Sequence, residues 1–160
     1  MWEIEGKPVD PKRFMPFEPR RVLNYYDGPR IFTFRDAADA LCLACWSDED
    51  EQQSRFLVVA VTDQIVADLE GGLISVREAL AQPRLWIVDW TRDGTLSGAW
   101  LVSHRDVPEE CQPQPGTMLH RTLLPPPPDD YLHDEAEWLA NIGSMRTPEE
   151  VVDDIFGKEE

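Results

Sequence analysis

Three runs of β-branched and aromatic residues follow one another with too little chain between them for a crossover. Ile31-Phe32-Thr33-Phe34 is followed by Ala40 to Trp46 and then by Arg55 to Val61. A parallel pair needs a connection of a dozen or more residues, usually a helix, so these runs read as an antiparallel meander. Leu85 to Trp90 and Leu96 to Ser103 supply two more strands. They flank Arg92-Asp93-Gly94, whose Asp-Gly pair suits a tight hairpin. Between the two groups, Thr62 or Asp63 caps a short helix with Ile65, Val66 and Leu69 on one face, stopped at Gly71-Gly72. Ser75-Val76-Arg77-Glu78 is a capping-box pattern and predicts a second short helix, running to about Gln82. The expected fold class is α+β: a mostly antiparallel sheet of five strands with two short helices, plus a C-terminal helical extension.

Proline and charge divide the chain. Pro8, Pro11, Pro16 and Pro19 fall within the first 28 residues and speak against a helix or central strand there. Trp2, Phe14, Met15 and Phe17 suggest an extended segment pinned to the domain by large side chains. Residues 1–28 therefore read as an N-terminal arm, 29–108 as the core domain, 109–128 as a proline-rich linker and 129–160 as an acidic helical extension. The run Pro125-Pro126-Pro127-Pro128 favours a stiff, extended spacer. Beyond it, residues 125–160 carry a net −9 of the chain's total of −16. Tyr131, Leu132, Ala136, Trp138, Leu139 and Ile142 form one apolar stripe on a predicted helix. Thr147-Pro148-Glu149-Glu150 then opens a second helix, with Val151, Val152, Ile155 and Phe156 as its apolar face.

Composition removes several classes of function. Thirty-one acids against fifteen bases argue against direct nucleic-acid binding, which needs clustered Lys and Arg to neutralise phosphate. No apolar run approaches the ~20 residues of a membrane span, and the first residues lack a basic flank followed by an apolar stretch. Three cysteines, an odd number, argue against a disulfide framework and for a reducing, cytoplasmic setting.

Candidate chemistry is sparse. Cys42-Leu43-Ala44-Cys45 has redox or zinc spacing, but on a strand two residues three apart point to opposite faces. Cys111 stands alone, and His104, His120 and His133 fall on different predicted elements, so neither a metal site nor a cofactor is expected. His104-Arg105-Asp106 mimics the kinase catalytic-loop tripeptide without its downstream asparagine, since position 111 is Cys. Asp48-Glu49-Asp50-Glu51 lacks the alternating ligands and central glycine of a calcium loop and reads as a solvated hairpin tip. Asp89 with Asp93 is a carboxylate pair that a hydrolase of unrecognised type could use, although nothing in the spacing selects it.

Two features point to interaction rather than catalysis. Trp86, Trp90 and Trp100 fall on strand candidates, Trp86 and Trp90 with the same parity, and an exposed Trp on a sheet is an interface anchor. Val152, Ile155 and Phe156 give the terminal helix an apolar face that can dock in a partner groove. These six residues are the candidate partner-binding set. The expected function is a non-catalytic protein-interaction or accessory protein of the cytosol, whose partner is another protein. The alternative is an acidic inhibitor, immunity protein or antitoxin, such as a nucleic-acid mimic, binding a basic protein surface.

Two stretches also carry a family likeness. Tyr26-Asp27-Gly28-Pro29 leading into an aromatic strand, and Gly72-Leu73-Ile74-Ser75-Val76-Arg77-Glu78-Ala79-Leu80 before Gln82-Pro83, resemble a family of small uncharacterised bacterial proteins. The resemblance covers roughly residues 25–105 and implies a bacterial, cytosolic protein. It implies no activity, cofactor or catalytic residue.

Overall fold

A computed structural model describes residues 1–25 and 28–119 of the chain. Seven strands form one antiparallel sheet: β1 (Gly6–Pro8), β2 (Arg21–Tyr25), β3 (Pro29–Arg35), β4 (Leu41–Glu49), β5 (Gln53–Ala60), β6 (Leu85–Thr91) and β7 (Leu96–Val102). Their spatial order is β1-β7-β6-β5-β4-β3-β2, so β2 to β7 are an unbroken meander and β1 returns to close the far edge. Helices α1 (Asp63–Glu70) and α2 (Val76–Leu80) lie in the single long connection, between β5 and β6. The predicted class and meander are found, with seven strands in place of five.

The two additional strands come from the arm, and proline explains why they are hard to read. Pro8 ends β1 at the sheet edge, where a missing N–H leaves no ladder bond unmade. β2 fits in the proline-free stretch between Pro19 and Gly28 and forms the opposite edge. Prolines exclude a central strand but not an edge one. The arm also holds a single 3-10 turn, Pro11–Phe14, capped by the Asp10 side chain. Proline at the first position of a helical turn gives up only an N–H that has no partner there.

Each element follows from its local chemistry. Thr62 accepts from the Ile65 amide to cap α1. At α2 the Ser75 hydroxyl accepts from the Glu78 amide at 3.1 Å, and the Glu78 carboxylate accepts from the Ser75 amide at 2.9 Å. The α2 helix stops at Leu80, two residues short of the expected end. Gly94 takes a φ of 90° in the β6–β7 turn, the left-handed conformation an Asp-Gly turn requires. The β4 strand runs on through Ser47, Asp48 and Glu49, which read as loop in the sequence. A bulge at Ser47 shifts the register from Trp46↔Phe56 to Asp48↔Arg55, leaving a tip at residues 50–52.

Both faces of the sheet are covered, which is why β4 and β5 are apolar on both parities. On one face Phe32, Phe34, Phe56, Val58, Trp86 and Val88 meet Phe14 and Phe17 of the arm. Phe17 sits edge-on against Phe32, Phe34, Phe56 and Trp90, with ring centroids 4.9–5.6 Å away. Strands β3 and β6 are about 14 Å apart at the usual spacing. The rings of Phe32 and Trp90 nevertheless come within 6.3 Å, so the side chains converge over this face. On the other face Leu43, Cys45, Leu57, Val59 and Ile87 pack under Leu69 of α1 and Ala79 and Leu80 of α2. No helix among the described residues is long and apolar enough to cross a membrane.

Candidate binding groove

The predicted site residues separate. Trp86 and Trp90 share the aromatic face, as their parity requires, and Trp100 stands on the helix-covered one. Trp86 is 5% exposed, so it is a core residue rather than an outward anchor. Its ring packs against Phe14, and the Arg13 guanidinium lies 4.6 Å above it. Trp90 is half-buried on Phe17, and its indole N–H is buried with no acceptor among the described residues. Trp100 is half-buried and folds back over Gly98, where a side chain would leave it no room. Val152, Ile155 and Phe156, like both predicted C-terminal helices, the proline run, His120 and His133, lie outside the described residues.

The cysteine pair diverges across β4. Cys42 belongs to the aromatic face and Cys45 to the helix-covered face. Burial pushes the Cys42 thiol up to about 12, aided by the Asp36 charge. Burial alone pushes Cys45 up to about 12. Both are therefore protonated and poorly nucleophilic at neutral pH. The carboxylate pair separates as well. Asp89 is buried against Arg55, whereas Asp93 lies in the exposed β6–β7 turn, bonded by Thr91 and Thr95. Those hydroxyls, with the Thr95 amide, hold the Asp93 carboxyl below its ordinary value. His104 is half-buried and its Nε2 lies 2.8 Å from the Gln82 carbonyl oxygen.

What the structure does assemble is a groove of about 560 Å³ where the helix-covered face meets residues 110–119. Ile31 and Cys45 contribute its apolar floor from β3 and β4, Val76 one side, and Met118 and Leu119 the other. A cavity of that size, mainly apolar with a few fixed polar groups, is what ligand and side-chain sites look like. The far wall is held by long-range bonds. The Ser47 hydroxyl, presented by the β4 bulge, donates to the Cys111 carbonyl at 2.7 Å. The Val76 amide donates to the Thr117 carbonyl at 2.9 Å. Arg77 grips Glu109 through two bonds and donates to the Pro113 carbonyl at 3.2 Å. That pairing raises Arg77 and lowers Glu109 relative to their ordinary values.

The groove's rim is a closed polar unit. The Arg30 guanidinium stacks 4.6 Å from the Trp46 ring and donates to Glu49 Oε1 at 3.1 Å. Trp46 Nε1 donates to the same oxygen at 3.1 Å. Cys111 is half-buried in the wall, and its thiol is raised by burial and by the charges of Asp48 and Glu110. The arrangement thus offers apolar surface and protonated thiols, with Arg30 and Glu49 paired to each other at the rim. Residues 109–119, read from sequence as the start of the linker, form this wall. Their Pro and Gln content hides it, because its anchors at Ser47 and Arg77 are more than thirty residues away. A second cavity of about 830 Å³, lined by Leu80, Pro83 and His104, shares Gln112 with the first.

Comparison of the chain with protein families, with curated proteins and with solved structures finds no match.

Proposed function

We propose that the protein is a non-catalytic accessory protein of the bacterial cytosol that recognises another protein, and that the groove between β3–β4 and residues 110–119 is its recognition surface. One observation carries the reading: the floor is apolar, while Arg30, Trp46 and Glu49 satisfy one another at the rim. A surface built in this way takes up apolar side chains of a partner and excludes water around them. The bonding of the acidic hairpin tip favours this reading over the acidic-inhibitor alternative. Glu49 is paired with Arg30, and Asp50 accepts from the Gln52 and Gln53 amides, so these carboxylates are engaged within the chain.

Met118 is 45% exposed on the groove wall, so Met118→Arg alters the surface without disturbing the core. The immobilised full chain, its Met118→Arg variant and a Leu73→Arg control are used to capture proteins from the native host. Leu73 is 74% exposed and does not line the groove. A partner retained by wild type and by Leu73→Arg but lost with Met118→Arg supports the reading. Equal capture by all three overturns it.

A further inference from the structure

We infer that the second cavity is a binding site for a small organic anion, an apolar body ending in one carboxylate, with Arg105 holding the charge. The site is separate from the proposed recognition groove, with which it shares only Gln112 among its lining residues, and it does not depend on that reading.

The cavity, of about 830 Å³, lies between the end of α2 with residues 81–83 and the turns that follow β7. Small-molecule sites span roughly 300–1,000 Å³, so its size suits such a ligand. Leu80 and Val107, each 4% exposed, form an apolar floor, and Pro83 is an exposed side. Bonds within the chain fix the walls. His104 Nε2 lies 2.8 Å from the Gln82 carbonyl oxygen, which can only accept, so Nε2 carries the proton. Gln82 Nε2 donates to the Ala79 carbonyl at 3.1 Å, and Gln112 Nε2 donates to the Val107 carbonyl at 2.9 Å. Both sides are in place before a ligand arrives, so little ordering of the chain opposes binding.

Charge selects the ligand. The Arg, Lys, Asp and Glu side chains lining the cavity are Arg77, Arg105 and Glu109. Arg77 and Glu109 satisfy each other through two bonds. Arg105 is exposed, and no ion pair among the described residues includes it. Its neighbour Asp106 does not line the cavity. One uncompensated guanidinium therefore shares a cavity with an apolar floor, in a chain of net charge −16. A planar guanidinium takes a carboxylate through two parallel N–H···O bonds. One carboxylate matches its charge, whereas a phosphate group brings close to two negative charges, which an acidic chain opposes. His104-Arg105-Asp106, kinase-like in sequence alone, is here a 3-10 turn that brings its first two residues to the cavity.

The probe is 2-naphthoate, a rigid apolar body with one carboxylate, compared with its neutral isostere 2-naphthamide and with 2-naphthyl phosphate. Each is titrated into the full chain, and binding is followed by NMR through the shifts of assigned backbone amides. 2-Naphthoate is expected to shift the amides of residues 80–82 and 104–107 to saturation, with 2-naphthamide about tenfold weaker, as the loss of a charged hydrogen bond predicts. Arg105→Gln should weaken 2-naphthoate by about the same factor, and because Arg105 is exposed its amide spectrum away from the cavity should match wild type. No saturable shift overturns the inference, as do shifts centred on Met118 and Cys111 or equal affinities for the acid and the amide. Unchanged affinity in Arg105→Gln removes the charge-holding role given to Arg105 and overturns the inference in that form. Tighter binding of 2-naphthyl phosphate overturns the carboxylate as the ligand class.

Discussion

Arg55 and Asp89 stand directly opposite each other on β5 and β6 and are joined twice, Nε to Oδ1 and Nη2 to Oδ2, each at 2.8 Å. Their side chains are only 7% and 2% exposed. Trp2 closes the pair from above: its ring lies 4.9 Å from the guanidinium, and its carbonyl accepts from Nη1. The first residues of the chain are thereby fastened to the middle of the sheet. Removing one member leaves a buried, unpaired charge, which costs ~3–5 kcal/mol, whereas replacing both with apolar residues of similar volume costs far less. Asp89→Ala is expected to lower the urea midpoint sharply, and Arg55→Met with Asp89→Leu to recover most of it. A double variant no more stable than Asp89→Ala would show that the bonds of the pair themselves contribute net stability that apolar packing does not replace.

The capping box on α2 gives a smaller and purely local effect. Ser75→Ala removes the acceptor for the Glu78 amide and is expected to destabilise the protein by ~1 kcal/mol. Chemical denaturation measures it. A change within experimental error would mean that the tertiary contacts of Val76 and Leu80 alone hold the helix.

Acid sensitivity should have several identifiable sources. Asp50, Glu78, Asp93 and Glu109 are each held below their ordinary values: Asp50 by the Gln52 and Gln53 amides, Glu78 by Ser75, Asp93 by its threonines and Glu109 by Arg77. A carboxyl whose value is lowered on folding stabilises the native state above its unfolded value, and this is lost as pH falls through the folded one. Stability is therefore expected to fall below about pH 4. Asp50→Asn keeps an acceptor for the two amides but does not titrate, so its acid limb should be shallower than that of wild type. Parallel limbs in the two proteins would assign the acid loss to other carboxyls.

Cys42 and Cys45 cannot close on one metal ion without breaking β4, because they point to opposite faces and tetrahedral zinc needs its sulfurs about 2.3 Å from the ion. Elemental analysis is expected to find no stoichiometric zinc in the purified protein. One zinc per chain, lost on Cys42→Ala with Cys45→Ala, would contradict the strand geometry.

Gly98 marks a close approach that no other residue allows. A Cβ there would fall 2.4 Å from the Trp100 ring. Gly98→Ala is expected to push the indole off β7 and cost ~1–3 kcal/mol, the range for overpacking a filled site. Tryptophan fluorescence should shift to the red as the ring gains water. An unchanged spectrum with wild-type stability would show that the ring has somewhere else to lie.

The order of elements from Ile31 to Val102 was legible because each signal lies within a few residues of what it specifies. The alternation of apolar residues, the Thr62 and Ser75 caps and the Asp93-Gly94 turn are of this kind. The edge strands were not legible. β1 is held by pairing with β7 across more than ninety residues, with Gly6 opposite Val102, and its own three residues carry no strand pattern. Extension of β4 beyond Trp46 depends likewise on the bulge that lets Asp48 pair with Arg55.

By itself the sequence determined the antiparallel meander, the two capped helices and the divergence of Cys42 from Cys45, since local hydrogen bonding and strand parity settle them. Only the tertiary structure decided which tryptophans are buried, that Asp89 belongs to Arg55 rather than to Asp93, and that a proline- and glutamine-rich stretch is the wall of a groove. Each of those depends on contacts such as Ser47 to Cys111, sixty-four residues apart. The chain has no local energy term that favours such a contact until the sheet has brought its two ends together.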